Sequence, residues 1–200
     1  WNAESFRGSS DEARQLVDLW FAEEKEHSRL LCGAVKRFGG TPITGHWSFT
    51  VFCWVRRWSG VRAELTILLL TEIVSTIYYR LMRRHAQDPA LRAMCRLILR
   101  DEAGHVAFHR DRLARQAGGR GAYYSWFWEA WFRTLGLAAA TMLWINHARA
   151  ITGLGATTPE FYRGVWKEIS VFAARLRRDS ALTPAPVLRL PAVRAEAAGA

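Results

Sequence analysis

The segment VRAELTILLLTEIVSTIYYRLMRRHA, Val61 to Ala86, contains neither proline nor glycine and is apolar on nearly every face through its middle, yet it carries Glu72 at its centre. A helix that is apolar all round belongs inside a bundle, because one that met water along its length would show a polar stripe. An unpaired carboxylate at that depth is costly to desolvate and needs a metal, a partner or a proton. The segment therefore demands neighbouring helices and a compensating group opposite Glu72.

The rest of the chain supplies helices. Half of its 200 residues are hydrophobic, proline is sparse until the end, and long Ala/Leu/Arg-rich stretches run without breakers, which bounds the chain to one all-α domain. SSDE at Ser9 to Glu12 reads as a capping box that opens a helix near Ser10, and FGGTP closes it. The twenty residues TPITGHWSFTVFCWVRRWSG read as a packed crossover and a poor helix. QDP ends the apolar helix, and Asp88 caps the next, which runs to about ARQAGG. Two further helices, YYSWFWEAWFRTLGLAAATMLWINHARAI and PEFYRGVWKEISVFAARLRR, complete a helical domain over 1–180, with a disordered tail expected over 181–200.

The formal charge of +10 comes almost wholly from arginine, but no basic run with interleaved aromatics tracks a nucleic-acid backbone. Cys32, Cys53 and Cys95 are odd in number and form no CxxC pair, which disfavours a disulfide framework or zinc knuckle and suits a cytoplasmic protein. The chain opens at Trp1 rather than methionine and shows no basic-then-apolar leader, so no signal peptide is expected and a fragment of a longer chain is left open. TLGLAAATMLWIN falls short of the ~20 apolar residues of a bilayer span. No membrane span is expected, and peripheral contact is left open.

Two motifs repeat one pattern: EEKEH at Glu23 to His27 and DEAGH at Asp101 to His105. A glutamate and a histidine three apart lie about 60° apart around a helix and one turn along it, so both can aim at one ion. One such pair is common on solvated faces; two, with a buried glutamate at matching depth, are not. Glu72 and Glu102 lie equally far from the QDP connection, so antiparallel helices bring them to one level, about 20 Å from the turn. Glu64 lies more than two turns deeper. Within each doublet either acid can ligate; the other can orient a histidine across the site. Gly104 leaves little bulk beside its pair. His109 shares the His105 face and stays unassigned, and His46, His85 and His147 receive no role.

At these motifs the chain resembles the ferritin-like di-iron carboxylate superfamily, closest to its acyl-carrier-protein desaturase branch. The resemblance, carried by residues 10–116, implies Glu24, His27, Glu72, Glu102 and His105 as metal ligands, and Ser75, one turn after Glu72, as a hydroxyl near the reacting oxygen. It implies two iron ions, with manganese as the alternative. It also implies a ferritin-like helical bundle with a long crossover, lacking its first helix in this chain, plus two extra C-terminal helices. That first helix would bring a fourth carboxylate, for which Glu4 is a poor substitute; either the chain is truncated upstream, or the site is non-standard and binds one metal. Ile98 stands where the related arylamine N-oxygenases place an extra histidine.

The activity so implied is a non-haem di-iron oxidase or oxygenase, desaturase-like, acting on an apolar or acyl substrate with dioxygen. Its partners would be that small-molecule or acyl-carrier substrate and an electron-donor protein, with no nucleic acid; a homodimer is left open. The aromatics of the crossover and the fourth helix are candidates for walls around an apolar chain. The alternatives are a metal-handling protein without organic substrate, and a helical interaction module whose acids and histidines line a solvated face.

Overall fold

Glycines and caps punctuate the chain where helices end. At Gly39 (φ 77°) and Gly155 (φ 101°) the backbone enters the left-handed region. In both places the amide after the glycine bonds a carbonyl five residues back, Gly40 to Val35 at 2.9 Å and Ala156 to Ile151 at 3.2 Å, which satisfies carbonyls that a helix end leaves free. Asp88 Oδ1 accepts from the Leu91 amide at 2.8 Å, and Thr157 Oγ1 from the Glu160 amide at 3.3 Å, each opening a helix.

The computed structural model describes residues 11–43, 45–58, 61–117 and 122–182, which form six α-helices and no strand. These are α1 (Asp11–Arg37), α2 (Trp47–Trp58), α3 (Val61–His85), α4 (Pro89–Ala117), α5 (Ala122–Gly153) and α6 (Thr158–Leu182). Ser9, Ser10, Glu4 and residues 183–200 of the expected 181–200 tail lie outside the described residues, while Ala181 and Leu182, expected in that tail, end α6.

Helix α3 is the axis. Leu69, Leu70, Ile73, Val74 and Ile77 pack with Phe132 and Ala140 of α5 and with Phe161, Val165 and Ile169 of α6 in one buried cluster. Gly136 lies where an added methyl would collide with Ile169 Cδ1 and crowd Leu70. Trp144 stacks on Phe161 at 5.1 Å, and Gly164 faces Ile77. These levels make α5 parallel and α6 antiparallel to α3. The C-terminal helices, expected as additions to a bundle, thus supply much of its principal core. Buried Glu129 of α5 is tied to α6 by Arg177 Nε at 2.8 Å and pairs with Arg133 at 3.1 Å on its own helix.

Helix α1 lies outside this core, antiparallel to α4. Leu30, Leu31 and Ala34 cover a second apolar cluster formed by Ala86, Leu91, Met94, Cys95 and Ile98. Arg37 bonds Asp88 at 2.8 Å, and contacts from His27 to Asp101, Glu23 to His105 and Trp20 to Phe108 follow in step along the pair.

One sequence expectation is corrected. The crossover contains a regular helix, α2, because no glycine or proline occurs between Trp47 and Trp58, and aromatic and β-branched residues lower helix propensity by less than about 0.7 kcal/mol each. It is not tightly packed: Trp47, Phe49 and Trp54 are all more than half exposed. Among the described residues, the helix long and apolar enough to cross a membrane is α3, over Ala63–His85; more than half of its apolar window is buried, the profile of a bundle's central helix.

Phe132 has no exposed surface and stacks on Trp128 at 4.7 Å and Phe172 at 5.4 Å. Phe132→Ala is expected to lower unfolding free energy by about 3–5 kcal/mol. Trp131→Ala, at an exposed neighbour, should change it by less than about 0.5 kcal/mol in the same denaturant titration.

Candidate metal centre

His105 sits where three helices meet. Its position on α4, one turn after Glu102, turns it toward α1 and α3. From its Nδ1, Glu24 Oε1 lies at 3.7 Å, Glu72 Oε1 at 3.8 Å and Glu102 Oε2 at 3.9 Å. Glu24, Glu72 and His105 bring ligand atoms within 4.8 Å of one another, a group that could hold a metal ion. His27 joins through Glu24, whose Oε2 is 4.0 Å from its Nδ1. Ser75 Oγ donates to the Glu72 carbonyl at 3.0 Å and lies 3.5 Å from Glu102 Oε1. The six residues expected at the site from sequence therefore occupy one neighbourhood.

The two histidines are held in the same way from opposite sides. His27 Nε2 meets Asp101 of α4 at 3.2 Å, and His105 Nε2 meets Glu23 of α1 at 2.8 Å. Each doublet divides its labour: the second acid faces the centre, and the first reaches across to the other helix's histidine. A proton on Nε2 donated to those carboxylates leaves Nδ1 as the lone-pair donor toward the centre. Trp20 adds a roof, stacking on His105 at 4.6 Å and donating from Nε1 to Glu24 at 3.3 Å.

Burial makes the centre electrostatically demanding. Desolvation, then the charges of Glu102 and Glu24, push Glu72 up to about 9. Desolvation and Glu24 push Glu102 up to about 8, against the Ser75 hydroxyl, which lowers it. Glu72 Oε2, Glu102 Oε2 and His105 Nδ1 are buried without hydrogen-bond partners, a costly state that a bound cation would relieve. Bonds of ~2.1 Å separate two donors on one ion by ~3.0 Å at a right angle and ~4.2 Å when opposed; the His105 separations from Glu24, Glu72 and Glu102 fall inside that interval. Carboxylate oxygens with imidazole nitrogens suit iron or manganese. Donor chemistry, orphaned atoms and spacing all fit an ion, and the half-exposed side chains of Glu23 and Glu24 leave the α1 side open.

Sequence reasoning left His109 unassigned and did not single out Trp20. Both stand at the centre: His109 Nε2 is 3.7 Å from Glu72 Oε2, and Trp20 meets the His109 ring edge-on at 5.2 Å. The available signal was spacing, since His109 is one turn past His105. Desolvation, then Arg112 and His105, push His109 down to about 3, so its ring is neutral. Gly104 has open space where its side chain would be; nothing in the structure ties it to the site. His85 pairs with Glu160 at 3.0 Å, away from the cluster. Trp128, Phe132 and Trp144 are packed in the main core, and Trp126, Phe127 and Trp131 are exposed; these aromatics do not wall the centre, where Trp20 and Phe108 stand instead.

Comparison of the chain with protein-family models, curated proteins and solved structures finds no match.

The raised carboxyls set a pH dependence. In the folded metal-free protein Glu72 and Glu102 hold protons that the unfolded chain releases above 4.5. Their contribution to stability is therefore full below that pH and is lost as pH climbs through the folded values. His109 acts oppositely, its contribution being full above 6.5 and lost toward 3. Above pH 6.5 only the carboxyl effect remains. Chelator-treated protein should lose stability from about pH 6.5 to 8, by up to about 1.4 kcal/mol per pH unit for each carboxyl. Glu102→Gln should flatten the slope; a Tm that is level or rising in both proteins would contradict it.

Proposed function

We propose that this chain is a ferritin-like di-iron protein, desaturase-like in type, that uses dioxygen to oxidise an apolar or acyl substrate. One observation carries the reading: Glu72 Oε2, Glu102 Oε2 and His105 Nδ1 are buried without hydrogen-bond partners, while His105 Nδ1 lies 3.8 Å from Glu72 Oε1 and 3.9 Å from Glu102 Oε2, with Glu24 closing the group from a third helix. A solvated charged face would leave its acids wet, and a structural ion pair would satisfy them.

Glu24, Glu72, Glu102, His27 and His105 would hold the ions, two iron or alternatively manganese. Bound iron would supply the redox chemistry that acids and imidazoles lack. The protein's own part is to fix donors and manage protons. Asp101 and Glu23 hold the two imidazoles in the tautomer that presents Nδ1. Ser75 sets its hydroxyl between the Glu72 carbonyl and Glu102 Oε1, where it can hold or pass a proton at that oxygen. Trp20 and Phe108 offer an apolar wall beside the centre. Electrons that the substrate does not supply would come from an electron-donor protein.

The test is anaerobic loading with Fe(II), then oxygen uptake with a chemical reductant and an acyl-chain mixture, products being read by mass spectrometry. The expected result is oxygen consumption coupled to loss of hydrogen from, or gain of oxygen by, an acyl chain, abolished in Glu102→Ala. Uptake without any altered chain would favour metal handling. Iron below about half an equivalent, unchanged by Glu102→Ala, would sink the metal reading altogether.

A further inference from the structure

His109 is fully buried at 0 % exposure, and neither ring nitrogen has a hydrogen-bond partner among the described residues. A histidine kept for packing normally satisfies at least one nitrogen, because an unsatisfied buried polar group costs about 1–3 kcal/mol. Here Glu72 Oε2, itself without a hydrogen-bond partner, lies 3.7 Å from Nε2. That distance is too long for a hydrogen bond and lies inside the ~3.0–4.2 Å interval expected of two donors on one ion with bonds of ~2.1 Å. His109 is also one helical turn from His105, on the same face, and one indole, Trp20, contacts both rings.

We infer that His109 Nε2 ligates the same ion as Glu72 and His105, so that the two metal positions are unequal. One position takes imidazole from His105 and His109, with carboxylates from Glu72, Glu102 and Glu24. The other takes imidazole from His27 alone and shares Glu24. The inference rests on the metal reading above and adds an order of filling: the two-histidine position binds first and more tightly, while the His27 position fills second.

Mn(II) is the probe. Metal-free protein is titrated with Mn(II), and nitrogen couplings are read by pulsed electron paramagnetic resonance at one equivalent. Wild type is expected to show coupling from two imidazoles, and His27→Gln to leave the first equivalent unchanged. His109→Leu should lose about half of the nitrogen modulation and weaken that equivalent by more than the ~10–100-fold that loss of an outer-shell partner causes. The same variant separates ligation from packing. Removing an unsatisfied imidazole should leave the metal-free Tm unchanged or raised, whereas a structural histidine would lower Tm and leave Mn(II) binding intact. Nitrogen modulation in His109→Leu equal to wild type would overturn this inference while leaving the metal reading standing. Absence of Mn(II) binding by wild type would overturn both.

Discussion

Glu72 and Glu102 face a shared imidazole from two antiparallel helices, at a depth where the bundle excludes water. Glu102 raises the proton affinity of Glu72, and burial raises both. Much of the surrounding architecture answers that concentration of unpaired polar atoms. Helices α5 and α6 bury α3 below and around Glu72 with Phe132, Phe161 and Ile169, which supplies the apolar free energy that keeps a carboxyl-bearing helix inside. Helix α1 lies against the polar side, bringing Glu24 and His27.

The docking of α1 shows how far the centre shapes the fold. Its apolar contact is a small cluster near the α3–α4 connection, with Leu30, Leu31 and Ala34 against Leu91, Met94 and Ile98. Beyond that cluster, its register along α4 is marked by polar pairs, His27 with Asp101 and His105 with Glu23. Such pairs contribute little where solvent reaches them, so an ion drawing Glu24, Glu72 and His105 together would add directly to holding α1 in place.

What could be read from residues alone was the local periodicity. Glu-x-x-His on two helices and an acid in an all-round apolar run each follow from helix geometry, and equal distances from one turn placed Glu72 and Glu102 at one level. What could not be read was anything set by long-range packing. The role of α5 was hidden because it is apolar all round and has no preferred face, and its link to α6 through Glu129 and Arg177 joins residues 48 apart. Helix α2 was missed because turn formers at Thr41 to Gly45 masked a breaker-free stretch from Trp47 onward. The importance of His109 depends on its complete burial, which spacing cannot reveal.

The most direct measurement is anomalous X-ray diffraction at the manganese edge from crystals of the chain grown with Mn(II). The expected result is an anomalous peak enclosed by Glu24, Glu72, Glu102 and His105, with the carboxylates drawn in to bonding distance and Asp101 and Glu23 still on the two Nε2 atoms. A map without a peak there, with Glu72 and Glu102 protonated and hydrogen-bonded to other protein groups, would contradict the assignment of this cluster as a metal centre.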